Sequence, residues 1–348
     1  MLNIMDLLAE AVEEHASDLH LVVGVPPAFR IYGEIVLTQH PALRPDDCKE
    51  TVYGMLTDSQ REQFEKELQV GFSFFVPDLG RFRVNVYHEK GFVEAAIRVG
   101  MMEIKSPDEL GLPPIVSELA RKPNGLLLIT GPTGVGKTTT LNSLIDLINR
   151  ERRAKIITIE DPVEYVHNHK KSIIVQQEVY SDTHSFAKAL FHALRQDPDI
   201  IGVGEMRDLE TMSTALTAAE TGHLVIATLH TIDASQTIDR IIDVFPGAQQ
   251  PQIIAQLASC LVGVVSQQLL TKADKQGLAL CCEILVANLA VRNLIREHKT
   301  EKIYSTIQTG FKDQMQTMDR GLRDLYQAGF ISYDEALTHA RDPQFIEK

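Results

Sequence analysis

The densest chemistry in the chain lies in ten residues, GPTGVGKTTT, from Gly131 to Thr140. They follow the apolar run GLLLIT and open the helical pattern KTTTLNSLIDLIN. The order strand, G-x-x-x-x-G-K-[ST], helix is that of a phosphate loop. Gly131, Gly134 and Gly136 let the backbone curl until successive N–H groups face phosphate oxygens. Pro132, Thr133 and Val135 complete the loop, Thr139 follows it, and the helix N-terminus adds its positive end. Lys137 would bring a full charge to the β- and γ-phosphates of ATP, and Thr138 a hydroxyl to Mg²⁺. The competing reading is a glycine-rich turn without a ligand, and the complete motif in its strand–helix setting argues against that. The loop alone does not separate a kinase from a motor.

Acids and histidines gather on later apolar runs. IITIEDPVEY places Glu160 and Asp161 at a strand's C-terminal end, where open α/β sheets bind ligands, with Glu164 just beyond Pro162. Asp161 before proline could merely start a turn, but three acids near a phosphate loop point to metal and water handling. In TGHLVIATLHT, His223 precedes a strand and His230 ends it. A strand-end histidine can sense a γ-phosphate by hydrogen bond, although a lone histidine is more often structural. LRQDPDIIGVGEMRD, residues 194–208, runs through Ile200, Ile201 and Val203 into Gly204-Glu205, not the Asp-Glu pair expected of an ATPase strand. Arg207 stands immediately beside it. A cation there would repel Mg²⁺, so Arg207 suits an acid network or a subunit contact. A helix-start ion pair with Asp208 or Glu210 is the simpler alternative.

The elements that must hold these groups fit comfortably in 348 residues, enough for two well-formed domains. An apolar content of 44% with 23% charged residues describes a globular chain. The formal net charge of −13 argues against a broad nucleic-acid surface. Basic clumps at Arg150–Arg153 and Lys170-Lys171 are local, and the first suits a helix C-terminus. Cys48, Cys260, Cys281 and Cys282 show no paired C-x-x-C spacing, so neither zinc nor a disulfide framework is indicated and a reducing cytoplasm is expected. The start, MLNIMDLLAEAVEEHASD, lacks the order of a signal peptide. No uncharged apolar stretch reaches the roughly 18 residues of a membrane span.

Residues 1–100 read as an α+β domain. A helix is expected over about 2–15, strands at 18–23 and 28–32, and helices across 45–68 with Thr57 or Asp58 as cap. Three strands follow, GFSFFV, RFRVNVYH and FVEAAIRV. Phe82, Val84 and Val86 share one face, and Arg81, Arg83 and Asn85 the other, with Arg98 in the third run. Residues 101–114, rich in Gly and Pro, form the expected linker. From 115 to 348 apolar strands at 125–130, 155–160, 173–177, 200–204 and 224–230 alternate with helices, the pattern of a mostly parallel sheet. From about 250 the reading is mainly helical, with one more strand at LALCCEILVA and a helical end over about 288–348.

Together these stretches resemble the secretion ATPase superfamily that powers type II secretion and type IV pili. The likeness runs over essentially the whole chain. Its most specific part is the L-R-x-x-P-D run followed by an apolar strand and G-E-x-R-D. Gly202 departs from it, since the family usually has a bulky apolar residue there. Residues 157–165 match the family's Asp box, and His223 and His230 its histidine box. The resemblance implies an α/β fold, with a PAS-like N-terminal α+β domain followed by a RecA-like P-loop ATPase domain with C-terminal helices. It also implies that Gly-Glu is the normal strand ending and that Glu205 works with Asp-box acids around Mg²⁺ and the attacking water. Thr138, Glu160, Asp161 and Glu205 are then the metal set. Glu205 is the first choice as base or water-positioner, with Glu160 and Glu164 as alternatives.

Phosphoryl transfer gains ~10³–10⁵ in rate from an arginine supplied from outside. A homo-hexameric ring, as the resemblance implies, would let Arg81, Arg83 or Arg98 reach a neighbour's nucleotide; a solvated strand face is the alternative. Three features resemble the retraction branch, the PilT-type twitching-motility ATPases. The N-terminal region is one small domain without the leader common in assembly and secretion ATPases. The four-cysteine zinc insertion is absent. AVRNLIRE, residues 290–297, is close to the branch's A-I-R-N-L-I-R-E element. The resemblance implies that Arg292, Leu294 and Ile295 matter for retraction more than for hydrolysis, although an ordinary amphipathic helix would look similar. It further implies a cytoplasmic enzyme that docks peripherally on an inner-membrane pilus platform protein, with no span of its own. An accessory retraction paralogue, a pilus-assembly or type II secretion ATPase, a small-molecule kinase and a DNA translocase are the competing readings.

Overall fold

A computed structural model describes residues 3–31, 33–77, 79–100 and 104–346. The chain divides into two compact units between Glu103 and Ile104, with Glu164–Val166 grouped with the first. The first unit is built on a six-stranded sheet in the order β3-β2-β1-β6-β5-β4, with neighbouring strands antiparallel. Its strands are β1 (Asp18–Leu21), β2 (Ala28–Ile31), β3 (Glu34–Leu37), β4 (Gln69–Val76), β5 (Gly80–Glu89) and β6 (Phe92–Val99). The helices are α1 (Ile4–Glu13), α2 (Pro45–Tyr53) and α3 (Asp58–Glu67).

Local sequence explains these elements. Thr57 caps α3, accepting from the Gln60 amide at 3.3 Å while the Gln60 side chain accepts from the Thr57 amide at 2.9 Å. Along β5, Phe82, Val84 and Val86 are buried against Leu7, Leu8 and Phe64, while Arg83 and Asn85 point to solvent. Each fully buried side chain of this kind contributes ~1.5–3 kcal/mol. The helices expected across 45–68 are the two, α2 and α3, separated at Gly54–Thr57. β3 escaped the sequence reading because all four of its residues are exposed, so it lacks the alternation that marks a half-buried strand. The expected strand end at Tyr32, the helix start at Leu2 and linker residues 101–103 lie outside the described residues.

The second unit carries a seven-stranded sheet in the order β13-β12-β7-β11-β10-β8-β9. Its strands are β7 (Gly125–Thr130), β8 (Lys155–Glu160), β9 (Ile173–Glu178), β10 (Ile200–Val203), β11 (Leu224–Leu229), β12 (Leu261–Thr271) and β13 (Leu278–Val286). All neighbours are parallel except the β12–β13 pair. Every residue of β7, β10 and β11 is buried, as expected for strands covered on both faces. The helices are α4 (Pro114–Ala120), α5 (Lys137–Glu151), α6 (Phe186–Ala193), α7 (Leu209–Glu220), α8 (Ala234–Asp243) and α9 (Gln250–Cys260). After β13 come α10 (Leu289–Arg296), α11 (Ile303–Thr309), α12 (Met318–Gln327), α13 (Tyr333–His339) and α14 (Pro343–Ile346).

The reading of 250 onward as mainly helical needs one correction. LVGVVSQQLLT is the eleven-residue strand β12, inserted beside β7. Its polar residues Ser266 and Gln267 are fully buried, which erases the apolar alternation of a strand. They bond to β7 and α5: Thr130 Oγ1 donates to Ser266 Oγ at 2.9 Å and Gln267 Nε2 to Thr140 Oγ1 at 2.7 Å, while Gln267 Oε1 has no partner among the described residues. All four cysteines are buried free thiols. Among the described residues no helix is long and apolar enough to cross a membrane.

Candidate active site

β7 delivers the chain to the loop 131–136 and α5 takes it away, so the glycines stand between a buried strand and a helix N-terminus. A Cβ at Gly131 would lie 2.5 Å from the Gln267 carbonyl oxygen, and its φ is +139°. Gly134 and Gly136 adopt φ of +85° and +83°, the region open mainly to glycine. No side chain caps α5, which leaves its first amides free for an anion. Gly131 is buried, Pro132, Thr133 and Gly134 are exposed, and Val135, Gly136, Thr138 and Thr139 are half-buried.

The buried Lys137 ammonium donates to the carbonyls of Gly131 and Pro132, both at 2.8 Å, and lies 3.4 Å from His230 Nδ1. Burial pushes its pKa down, and the nearby Glu205 charge opposes that shift. An ammonium can only donate, so His230 Nδ1 faces it as the acceptor and the ring proton belongs on Nε2. His230 Nε2 lies 2.8 Å from Glu205 Oε1, and Arg207 Nε reaches the same oxygen at 2.6 Å. Burial alone would raise the Glu205 carboxyl; the hydrogen bonds from Arg207 and His230 and the Arg207 charge outweigh it and hold the group below the usual glutamate range. Glu205, Arg207, His230, Gln236 and Arg240 line an open cavity of about 360 Å³.

The Gly-Glu ending has a steric cause. Gly204 N donates to Ile159 O at 2.7 Å, and Thr228 Oγ1 donates to Gly204 O. A Cβ at position 204 would meet Ile159 O at 3.1 Å and Glu160 Cα at 3.2 Å, so an Asp-Glu pair does not fit without displacing β8. At Gly202 a Cβ would press on Thr158 Cγ2 at 3.1 Å, and the missing side chain lets β10 lie close to α5 and β8. Asp208 is occupied as the cap of α7, accepting from the Thr211 amide at 2.8 Å. Arg207 therefore turns back to Glu205, the acid-network arrangement.

Glu160 ends β8 and is buried. Thr158 Oγ1 donates to its Oε1 at 2.8 Å, Gln176 Nε2 to the same oxygen at 3.3 Å, and Asn142 Nδ2 to Oε2 at 3.3 Å. Burial raises its pKa, and these neutral donors only partly oppose the rise. Asp161 is exposed.

His223 does not join this group. It precedes β11 while His230 follows it, so the strand separates them by ~20 Å. Its Nδ1 instead lies 3.0 Å from Ala218 O at the end of α7. Glu164, exposed, belongs to the first compact unit. So do Arg81, Arg83 and Arg98: Arg83 and Arg98 pair in register on β5 and β6, and Arg98 Nε donates to Asp18 Oδ1 at 3.2 Å.

The stretch AVRNLIRE falls on α10 and its C-cap Glu297, where Arg292, Leu294 and Ile295 each have a definite structural part. Ile295 is fully buried and Leu294 packs partly into the same core. The Arg292 guanidinium donates to the carbonyls of Ala287, Ala258 and Leu261 at 2.8–2.9 Å and also to that of Ser259. It thereby closes the C-terminus of α9. Sequence reading missed Asn142, Thr158 and Gln176 around Glu160. Asn142 had a legible signal, four residues after Thr138 on one helix face; the other two are ordinary strand residues.

A phosphate loop at the C-terminal edge of a mostly parallel sheet, with a strand-end glutamate and histidine facing it, defines the class as a P-loop ATPase. A family profile described as type II/IV secretion system protein matches residues 109–334. A type IV pilus retraction ATPase of Pseudomonas aeruginosa is 44% identical over 99% of this chain and 99% of its own length. The type IV pilus ATPase PilU of the same organism is 38% identical over 96% of this chain and 87% of its own. A crystal structure of a pilus retraction motor with bound ADP superposes with a TM-score of 0.91 at 49% identity, covering 100% of this chain and 99% of that one. The chain belongs to the type II/IV secretion system protein family and is one of its ATPases.

Proposed function

We propose that this protein is a cytoplasmic motor that hydrolyses ATP with Mg²⁺ as a homo-hexamer and drives type IV pilus retraction, docked on an inner-membrane platform protein. The observation that carries hydrolysis is the Glu205 arrangement: a carboxylate beside the phosphate-loop lysine, fixed through one oxygen by Arg207 and His230. Full-length similarity to a retraction ATPase supports the direction of work. An accessory retraction ATPase is the second reading, favoured by the PilU likeness at lower identity.

Glu205, kept ionised, accepts the proton of the attacking water on its carboxylate. Lys137 leaves the loop carbonyls for the β- and γ-phosphates, and His230, released from Lys137, is free to report the γ-phosphate to Glu205. Thr138 on the first turn of α5 and the Glu205 carboxylate are hard oxygen donors, fitting a cation that leans on the nucleotide's own phosphates. Glu160 and Asp161 fit its outer shell. Mg²⁺, when bound, neutralises phosphate charge and polarises the γ-phosphoryl group. One of Arg81, Arg83 and Arg98 would complete a neighbour's site. ATP and ADP move the motor only through their different affinities for its two arrangements.

Two measurements test this. Purified protein should release phosphate from ATP with no acceptor, and Lys137→Ala should lower that rate by about 10²–10³ or more. Deleting the gene should leave cells piliated but unable to move on surfaces. An acceptor requirement, or motile deletants, would remove the proposal.

A further inference from the structure

A row of buried polar side chains runs behind Glu160 along α5. Asn142 sits one turn beyond Thr138, and its Nδ2 donates to Thr138 O at 3.0 Å and to Glu160 Oε2 at 3.3 Å. With both amide hydrogens committed, Oδ1 faces His167 Nε2 at 2.7 Å. An amide oxygen only accepts, so the His167 proton is on Nε2. The His167 side chain is fully buried, and its Nδ1 lies 3.9 Å from Asp146 Oδ1 with no hydrogen-bond partner among the described residues. Asp146 is in turn held by Arg150 Nε at 2.7 Å and Lys170 Nζ at 2.5 Å. A second arm closes the circuit: the His167 amide donates to Gln176 Oε1 at 2.8 Å, and Gln176 Nε2 donates to Glu160 Oε1 at 3.3 Å.

A buried imidazole and a buried amide are costly placements unless their hydrogen bonds do something an apolar pair could not. Here one histidine reaches both oxygens of Glu160, through Asn142 on one side and Gln176 on the other. No described lysine or arginine pairs with Glu160, so neutral donors alone fix its orientation. Asn142 also touches the Thr138 carbonyl, so a shift of the loop helix and a shift of Glu160 are mechanically joined.

Resting on the ATPase reading above, we propose that Asn142, oriented by His167, is a positioning residue that fixes the Glu160 carboxylate and couples it to the first turn of the phosphate-loop helix. The role is to orient, with no contact to nucleotide.

The test uses the full chain and four readouts: kcat, KM for ATP, ADP affinity and melting temperature. Asn142→Leu and His167→Leu should each lower kcat about tenfold, the effect of losing a hydrogen bond to a charged group, with ADP affinity kept. His167→Gln, which retains a donor near Nε2, should recover most of that loss. In a Glu160→Gln background Asn142→Leu should add no further loss, because both changes act through one carboxylate. Multiplying losses in the double variant, or ADP affinity falling in step with kcat, would overturn the proposal. So would a His167→Gln protein as impaired as His167→Leu. If Glu160→Gln alone turns over like the unaltered protein, the role given to Glu160 fails instead, and the positioning has no target.

Discussion

Glu205 and Glu160 close adjacent parallel strands, β10 and β8, yet their surroundings are opposite. Glu205 is partly open and held by an arginine and a histidine. Glu160 is sealed and held by an alcohol and two amides. A charged arginine and a hydrogen-bonded histidine depress the first carboxyl; burial raises the second. On the proposed reading, two acids pushed apart in this way would divide the work: an ionised group that meets water, and a fixed one that organises what lies behind it.

The largest effect should come from removing the open acid. Glu205→Gln should lower turnover by about 10²–10⁴ while nucleotide still binds. Comparable activity in that variant, with collapse in Glu160→Gln, would reverse the assignment of the two acids.

A smaller effect should follow Arg207→Ala. Arg207 is 68% exposed, so its pairing is screened and turnover at neutral pH should fall by less than about tenfold. Losing the cation lets the Glu205 pKa rise. The acidic limb of the pH–rate profile should therefore move to higher pH, and an unmoved limb would show that another group sets it.

The smallest effects concern stability, with opposite signs at the two acids. A depressed Glu205 pKa stabilises the fold above the usual glutamate value of about 4.3, and this is lost as pH falls through the lower folded value. A raised Glu160 pKa favours the fold below that value and loses the advantage as pH rises through the higher folded value. Glu160→Gln should thus gain melting temperature relative to the unaltered protein between pH 5 and pH 8, by about 2–4 °C for each kcal/mol. Glu205→Gln should lose its relative deficit only in acid. Parallel curves for both variants would show that the two environments do not differ electrostatically.

The same contrast explains what the sequence disclosed. The phosphate loop, Glu205 and His230 were legible because their chemistry needs particular residue types at short, fixed spacings beside apolar runs. β7, β8, β10 and β11 were legible for the related reason that strands buried on both faces are continuously apolar. β12 was not, since its buried Ser266 and Gln267 bond to Thr130 and Thr140, more than a hundred residues earlier in the chain. The sealed environment of Glu160 was equally hidden, because His167 and Gln176 meet it only through the fold. His223 shows the reverse hazard: a histidine close to His230 in sequence stands at the far end of the same strand. The steric reason for Gly204 also needed the neighbouring backbone of Ile159 and Glu160.

The most direct measurement is the fate of nucleotide held by Glu205→Gln protein incubated with Mg²⁺ and ATP, then separated from free nucleotide and analysed. Intact ATP should be recovered from the variant, where the unaltered protein yields ADP. Recovery of ADP from the variant at a rate within about tenfold of the unaltered protein would show that the water is activated elsewhere.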